Sequence, residues 1–439
     1  MFWYTVPMQN TPKGFRLHIG VFGRRNVGKS SLLNAMTRQR VSIVSDVAGT
    51  TTDPVEKPME LPPIGPVLFI DTAGIDDVGA LGEQRVARTR QIFDRTDVGL
   101  IVAAAGEWGG FEESILAELQ ARKIPVIVVF NKTDLAAPAA ELVERFAREK
   151  ISVVRTICKP DRATGGRDAR ATGADALPEY QHGIVDLREA LIRNAPDDFI
   201  NAPAIVADLV PPGELALLVV PIDIEAPKGR LILPQVQTIR DVLDNGSFCV
   251  VTKESGLPAA LARLTKPPAL VVTDSQGFHQ VAADTPREIP LTSFSILFAR
   301  CKGDLAEFVR GACAIETLRP GDRVLIAESC THHPIGDDIG RVKIPRWISQ
   351  RVGGELQFQC VQGHDFPEDL SPYRLIVHCG GCMWNRREML SRILRCRQAG
   401  VPITNYGLAI AASLGLFERA LEPFPAAMAI YAEMKRLKD

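Results

Sequence analysis

"LHIGVFGRRNVGKSSLLNAM", residues 17–36, decides how the first part of this chain folds. Its opening "LHIGVF" is mostly apolar and reads as a buried strand, "GRRNVGKS" fits the pattern Gly-x-x-x-x-Gly-Lys-Ser, and "SSLLNAM" opens a helix directly from the loop. A glycine-rich loop between a strand and a helix cradles phosphates, because its backbone N–H groups and the positive end of the helix converge on one anion. Gly23, Arg24, Arg25, Asn26, Val27, Gly28, Lys29, Ser30 and Ser31 are therefore the candidate phosphate-binding residues. Lys29 is expected to neutralise the β and γ oxygens and Ser30 to ligate Mg2+.

Two further motifs follow strands in the same manner. Asp71-Thr72-Ala73-Gly74 comes after "PVLFI", and Asn131-Lys132-Thr133-Asp134 after "PVIVVF". With the loop, this places three motifs at carboxyl ends of strands, where an open α/β sheet binds its ligands. Asp71 suits magnesium held through water, and the Gly74 amide suits the γ-phosphate. The Asp134 carboxylate matches guanine N1 and its exocyclic amine, a pair of donors that adenine lacks, so the nucleotide is expected to be GTP.

Composition bounds the rest. The chain has 439 residues, 46% hydrophobic and 23% charged, the balance of a soluble globular protein of two to four domains. No apolar run is long enough to span a bilayer. A formal net charge of −1 offers no general attraction to phosphate backbones, so neither nucleic acid nor membrane is an expected partner. The start, "MFWYTVPMQNTPKG", lacks the pattern of a secretory signal, which makes the cytoplasm the expected location. Nine cysteines, an odd number, then read as reduced thiols rather than a disulfide framework.

The fold class is α/β, read as three domains. Residues 1–200 alternate apolar strands with helical segments, as a parallel sheet with crossover helices does. Within them 158–183, rich in Gly, Ala, Arg and Asp, reads as a mobile insertion. A proline-rich link opens a small α/β unit at 201–265, with a strand in "ELALLVVPIDI" and a helix in "QVQTIRDVLDNG". So small a unit gains by packing on a neighbour or on its copy in a second chain. Residues 266–439 alternate again and are expected to hold a largely parallel sheet with strands "ALVVTD", "DRVLIAES" and "YRLIVHC".

Thiols cluster in that last part. Cys330 ends the strand "DRVLIAES", and the Cys379-Gly380-Gly381-Cys382 stretch ends "YRLIV". If these strands are parallel, Cys330, Cys379 and Cys382 share one rim, while the glycines let the backbone approach an inorganic centre and a helix beginning near Trp384 turns its positive end towards it. With His332, or alternatively His333 or His378, the set would equally make a tetrahedral Cys3His zinc site. Soft thiolates select zinc and iron–sulfur centres alike, so spacing leaves the metal open. Cys158, Cys249, Cys301, Cys313, Cys360 and Cys396 fit no ligand pattern and are expected to be ordinary thiols.

The nucleotide motifs resemble those of TRAFAC-type P-loop GTPases, and more narrowly the group of Era and the tRNA-modification GTPases. In "SDVAGTTTDP" Thr51, with neighbours Thr50 and Thr52, is similar to the switch threonine that caps magnesium. Asn26 occupies the position that in this group helps to hold K+, which implies a potassium-stimulated GTPase. Ile75 stands where Ras-like enzymes carry a water-orienting Gln, so hydrolysis should be slow. The base-stacking motif falls at "RTICKP", around Cys158.

Across nearly the whole chain, "LTSFSILFARCKGDL", "CTHHPIGDDIGRVKIPRW", "HCGGCMWNRREML" and "ITNYGLAIA" resemble the iron–sulfur GTPase maturation factors of FeFe-hydrogenase. The resemblance implies a GTPase domain, a dimerisation domain that makes a homodimer, and a domain with a 4Fe-4S cluster on Cys330, Cys379 and Cys382. His332 would be the fourth or an exchangeable ligand. It further implies a scaffold or carrier that receives a two-iron subcluster precursor from radical-SAM hydrogenase maturases and delivers it to apo FeFe-hydrogenase. The rival expectation is a ribosome- or tRNA-associated GTPase with a structural zinc module.

Overall fold

The structure, a computed structural model, describes residues 12–37, 55–61, 65–72, 91–158, 181–196, 199, 203–221, 231–329 and 338–437. The chain divides into two compact units, Met1–Asn201 and Ala202–Asp439.

In the first unit six strands form one sheet: β1 (Leu17–Phe22), β2 (Val55–Leu61), β3 (Gly65–Asp71), β4 (Val98–Ala104), β5 (Val126–Asn131) and β6 (Ser152–Arg155). Their order is β2-β3-β1-β4-β5-β6, parallel except that β2 runs antiparallel to β3. Alternation along β1 explains its burial on both faces. Leu17, Ile19 and Val21 join one core with Leu32, Leu33 and Met36 of the helix α1 (Lys29–Thr37), while Phe22 joins the opposite core with Ile70, Ile101 and Phe130. Gly20 is required between them, since a Cβ there would lie 2.6 Å from Thr96 Oγ1 and 2.7 Å from the Phe22 ring. The helix α2 (Gly110–Ala121) packs Leu119 against Gly99 on β4.

The ends of the expected insertion are visible. Ile157–Cys158 (β7) and Gln181–His182 (β8) pair as a short antiparallel ribbon, and the residues between them lie outside the described ones.

The second unit contains two sheets of four strands. One has β9 (Leu215–Val219), β10 (Phe248–Thr252), β11 (Leu270–Thr273) and β12 (Leu291–Ser293), in the order β10-β9-β11-β12, all parallel. The helix α3 (Leu233–Asp244) leads into β10, and α4 (Phe294–Lys302) follows β12 directly. The boundary expected at residue 265 thus needs correcting. Strands on either side of it share one sheet, and the chain from β10 to β11 is a crossover inside that sheet rather than a link between domains.

The other sheet has β13 (Arg323–Glu328), β14 (Gln357–Gln362), β15 (Leu375–His378) and β16 (Ile403–Asn405), in the order β14-β13-β15-β16, again all parallel. Val324, Ile326, Leu375 and Val377 bury one face against Ile344, Ile348 and Ile410. Two helices leave the carboxyl ends of its strands: α5 (Arg386–Gln398) after β15 and α6 (Tyr406–Ser413) after β16. Both are capped by asparagine, the Asn385 side chain accepting from the Glu388 amide and that of Asn405 from the Leu408 amide.

Candidate nucleotide site and thiol rim

The phosphate loop runs from the end of β1 into α1 with Gly23 at φ +145°, Asn26 at +64° and Gly28 at +97°. The two glycines are sterically required. A Cβ on Gly23 would fall 2.1 Å from the Val102 carbonyl oxygen, and one on Gly28 would fall 2.2 Å from Asn131 Nδ2. Asn tolerates the left-handed backbone that position 26 adopts. The loop is thus a close-fitting cradle of backbone, and Lys29 lies inside it, its ammonium donating to the carbonyls of Gly23 and Arg24. These residues fit a nucleoside triphosphate: the loop runs straight into the start of a helix, and a lysine is at hand to exchange carbonyl partners for phosphate oxygens.

The base-side motif is joined to this loop. Buried Asn131 donates through Nδ2 to the Val27 carbonyl at 2.9 Å, and its Oδ1 accepts from Thr156 Oγ1 at 3.0 Å and from the Cys158 amide at 3.2 Å. Lys132, at φ +59°, donates to the Asn26 carbonyl at 2.7 Å. Asp134 is exposed beside them. One asparagine therefore ties together the phosphate loop, the 131–134 motif and the strand end at 156–158, where the base-stacking motif was expected.

Asp71 is buried at the carboxyl end of β3, and the neighbouring Thr72 hydroxyl donates to the Val21 carbonyl at 2.7 Å. Thr51, Gly74 and Ile75 lie outside the described residues. Sequence reasoning missed two side chains here. Lys57 on β2 is buried; desolvation lowers its pKa, and the Asp71 carboxylate opposes the shift. Glu112, fully buried, grips Arg24 of the phosphate loop through two hydrogen bonds, 2.8 and 3.1 Å, and its helical position gave no sign of this.

In the second unit β13 and β15 are adjacent and parallel, with Ala327 opposite His378, so the carboxyl ends of these two strands, the second leading into Cys379, fall on one rim. That rim is also the switch point of the sheet, since from β13 the chain goes to β14 on one side and to β15 on the other. Ligands of open parallel sheets bind at such points. The Cys379 amide donates to the Ala327 carbonyl at 2.9 Å, and its sulfur lies 3.1 Å from the Ser329 amide and 2.7 Å from the Ser329 hydroxyl. Cys379 and Cys382 are both half-buried. Gly381, at φ +62°, turns the chain between them, and a Cβ there would meet the Met389 methyl at 2.5 Å. A sulfur receiving an amide hydrogen bond, with a second thiol three residues on, fits a soft metal centre. Cys330, His332 and His333 lie outside the described residues, and among the described ones no three His, Cys, Asp or Glu side chains gather as a metal site.

His378 is not open to a metal in this structure. It is fully buried, its Nδ1 lies 2.7 Å from the Cys379 carbonyl oxygen and its Nε2 3.2 Å from an Arg392 nitrogen. Burial, seconded by the Arg392 charge, pulls its pKa down to about 3. The other thiols behave as ordinary side chains: Cys158, Cys301, Cys313 and Cys396 are buried, and burial pushes Cys158 up to about 11 and Cys396 up to about 12.

Loop, sheet and motif order define the first unit as a P-loop GTPase domain. Comparison with known proteins agrees: residues 18–132 match the model of the 50S ribosome-binding GTPase family. The second unit carries the more specific match, to the hydrogen maturase F dimerization domain over 205–303 and to its tetramerization domain over 306–423. The chain belongs to the hydrogen maturase F family.

Likeness to curated proteins concerns the GTPase part. GTPase Der of Wolinella succinogenes is 39% identical over 138 residues, 30% of this chain and 29% of that protein. The tRNA modification GTPase MnmE of Chromobacterium violaceum is 38% identical over 130 residues, 29% of each. The chain therefore spans under a third of the length of these relatives. Among solved structures, the G domain of the T. maritima FeoB iron transporter aligns at 21% identity and a TM-score of 0.30, covering 41% of this chain and 99% of that one. Toc33 of Arabidopsis thaliana aligns at 17% and 0.29, covering 41% and 84%.

Proposed function

We propose that this chain hydrolyses GTP and carries a 4Fe-4S cluster, and that it receives the two-iron subcluster precursor of FeFe-hydrogenase from radical-SAM maturases and passes it to the apo-hydrogenase. The observation that carries the reading is the thiol rim: Cys379 and Cys382 stand at the switch point of an all-parallel sheet in a unit matched by hydrogen maturase F domain models. A GTPase of ribosome or tRNA work would use such a rim only for a structural zinc, whereas the unit that carries it matches the hydrogen maturase F models.

In this reading Lys29 and the amides of residues 23–31 hold the phosphates, Ser30 and Thr51 hold Mg2+ with Asp71 acting through water, and Gly74 meets the γ-phosphate. Asn131, Lys132 and Asp134 receive guanine, and Asn26 helps to hold K+. Hydrolysis is slow, since Ile75 cannot orient water. Cys330, Cys379 and Cys382 hold the cluster, with His332 as fourth or exchangeable ligand. Thiolates supply strong iron ligands there, and a position not filled by cysteine leaves a place where cargo can dock. Reduced thiols suit a cytoplasmic setting.

The chain is further inferred to act as an oligomer of three-domain subunits, and its edges support this. β10 is an edge strand with Phe248 59% and Val251 45% exposed, flanked by Leu243 of α3 at 57%. An apolar edge with free backbone groups is suited to pairing with a second copy. Phe248→Lys with Val251→Lys should shift light scattering towards the monomer.

Metal analysis of anaerobically reconstituted full chain tests the main reading. About four iron and four sulfide per chain, a brown colour and GTP turnover are expected. A colourless protein with one equivalent of zinc would replace it with the rival.

A further inference from the structure

Behind Cys379 lies a buried polar network that neither the nucleotide chemistry nor the thiols themselves require. Its centre is Arg392, in the middle of α5 and almost fully buried. One guanidinium nitrogen lies 3.2 Å from His378 Nε2, and another donates to the Gly363 carbonyl at 2.8 Å. The guanidinium carbon stands 3.8 Å from the centre of the Trp384 ring and 4.5 Å from that of Phe366.

A guanidinium has donors and no acceptor, so His378 Nε2 must be the unprotonated nitrogen. The ring proton then sits on Nδ1, which donates to the Cys379 carbonyl. The tautomer is thus imposed from α5, and with it the orientation of the peptide that follows Cys379. Trp384 closes the other side: its amide donates to the Gly381 carbonyl at 3.0 Å, and its ring meets His378 edge-on at 5.2 Å. Arg392, which meets His378 and stacks on Trp384, therefore contacts the groups that brace both ends of the Cys379-to-Cys382 turn.

Burying a guanidinium is costly unless something compensates it. Glu388 supplies part of the compensation, yet its carboxylate is also taken by His364 at 2.6 Å. Cys379 is within electrostatic reach of the guanidinium too. A cation in this place makes physical sense if the rim gains negative charge, as a set of iron-bound thiolates does.

Resting on the iron–sulfur reading above, we infer that Arg392 is the positioning residue of the thiol rim: through His378 it fixes the Cys379 peptide, and its buried charge balances the anionic centre. It does not touch the metal. Partners that orient metal ligands from outside typically change affinity ten- to a hundredfold rather than abolishing it.

The test uses the full chain, reconstituted anaerobically, as parent, Arg392→Gln, Arg392→Lys, His378→Asn and Arg395→Gln. Arg395 is the control, since it also stacks on Phe366, at 5.0 Å, but donates to Pro367 instead of His378. The readouts are the rate at which a chelator strips iron and the EPR line shape of the reduced protein. Arg392→Gln is expected to lose iron at least about tenfold faster and to show an altered spectrum. Arg392→Lys should recover part of both effects, and His378→Asn, which keeps a donor for the Cys379 carbonyl but drops Arg392, should fall between. Arg395→Gln should match the parent. Parent-like stripping and spectrum in Arg392→Gln would overturn the inference, as would an equal effect in Arg395→Gln. If Arg392→Gln does not fold, His378→Asn decides by the same readouts. A parent chain that takes up no iron would overturn the iron–sulfur reading and this inference together.

Discussion

The phosphate loop and the thiol rim both lie at carboxyl ends of parallel strands, yet they are built in opposite ways. Around the nucleotide site the motifs brace one another: Asn131 holds the Val27 carbonyl, Lys132 the Asn26 carbonyl and Lys29 the carbonyls of Gly23 and Arg24. Around the thiols the braces belong to no motif; they are Ser329, Arg392 and Trp384. Phosphate is bound mainly by backbone amides, so its site is contiguous in sequence and its support is coded in the same residues. A thiol site needs only a few side chains, and whatever neighbours the fold brings behind them set their environment.

If the two regions are chemically separate, each should fail alone. Cys379→Ser and Cys382→Ser should lose nearly all iron on anaerobic reconstitution and, with it, the loading of hydrogenase, while GTP turnover stays within about a few fold of the parent. Conversely, Lys29→Ala should cut GTP turnover by on the order of 10²–10³-fold with iron content unchanged, as expected for the loss of a group that stabilises transition-state charge. Phosphate release and iron assays on the same preparations check both, and a variant that loses both activities would break the separation.

Smaller effects sharpen the nucleotide side. Asp134→Asn should shift preference from GTP towards XTP by on the order of a hundredfold, because the exchange turns an acceptor into a donor opposite the base. Competition between the two nucleotides measures it, and an unchanged preference would mean that guanine is read elsewhere. Potassium should raise turnover several-fold, roughly, over sodium in the parent but not in Asn26→Ala. Equal rates in the two salts would remove the monovalent-ion role and leave the GTPase standing.

The smallest effect concerns packing on the thiol side. Gly311 lies so close to β16 that an added Cβ would fall 1.9 Å from the Ile403 carbonyl oxygen. Gly311→Ala should therefore lower the stability of this unit by about 1–3 kcal/mol, read in a denaturant titration, and leave GTP turnover as it was.

Much of the fold was legible from apolar runs. The segments read as strands at 17–22, 66–70 and 125–130 fall on β1, β3 and β5, and those read at 214–224, 269–274, 322–329 and 373–379 contain β9, β11, β13 and β15. These are the inner strands, buried on both faces, with β3 and β11 equally interior in their sheets. The edge strands gave little signal. β2, "VEKPMEL", carries charges and a proline, and β14, "QFQCVQ", is polar, because an edge strand is covered less completely. β12 and β16 have three residues each, too few for any period to show. The division at 265 failed for a related reason: with β10 and β12 unseen, the sheet that crosses it had no visible partners.

By itself the sequence determined the phosphate loop, the two motifs that accompany it and the placing of Cys379 and Cys382 after an apolar strand, because each is a local pattern whose chemistry acts over a few residues. Only the tertiary structure decided that Asn131 joins three segments, that Glu112 holds Arg24, and that His378 has both nitrogens engaged. Nor could any local pattern reveal Arg392 as a buried cation behind the thiols. The energy of a buried charge depends on what surrounds it from all sides, and here those surroundings come from Gly363, Phe366, His378 and Trp384, brought together only when β14, β15 and α5 pack.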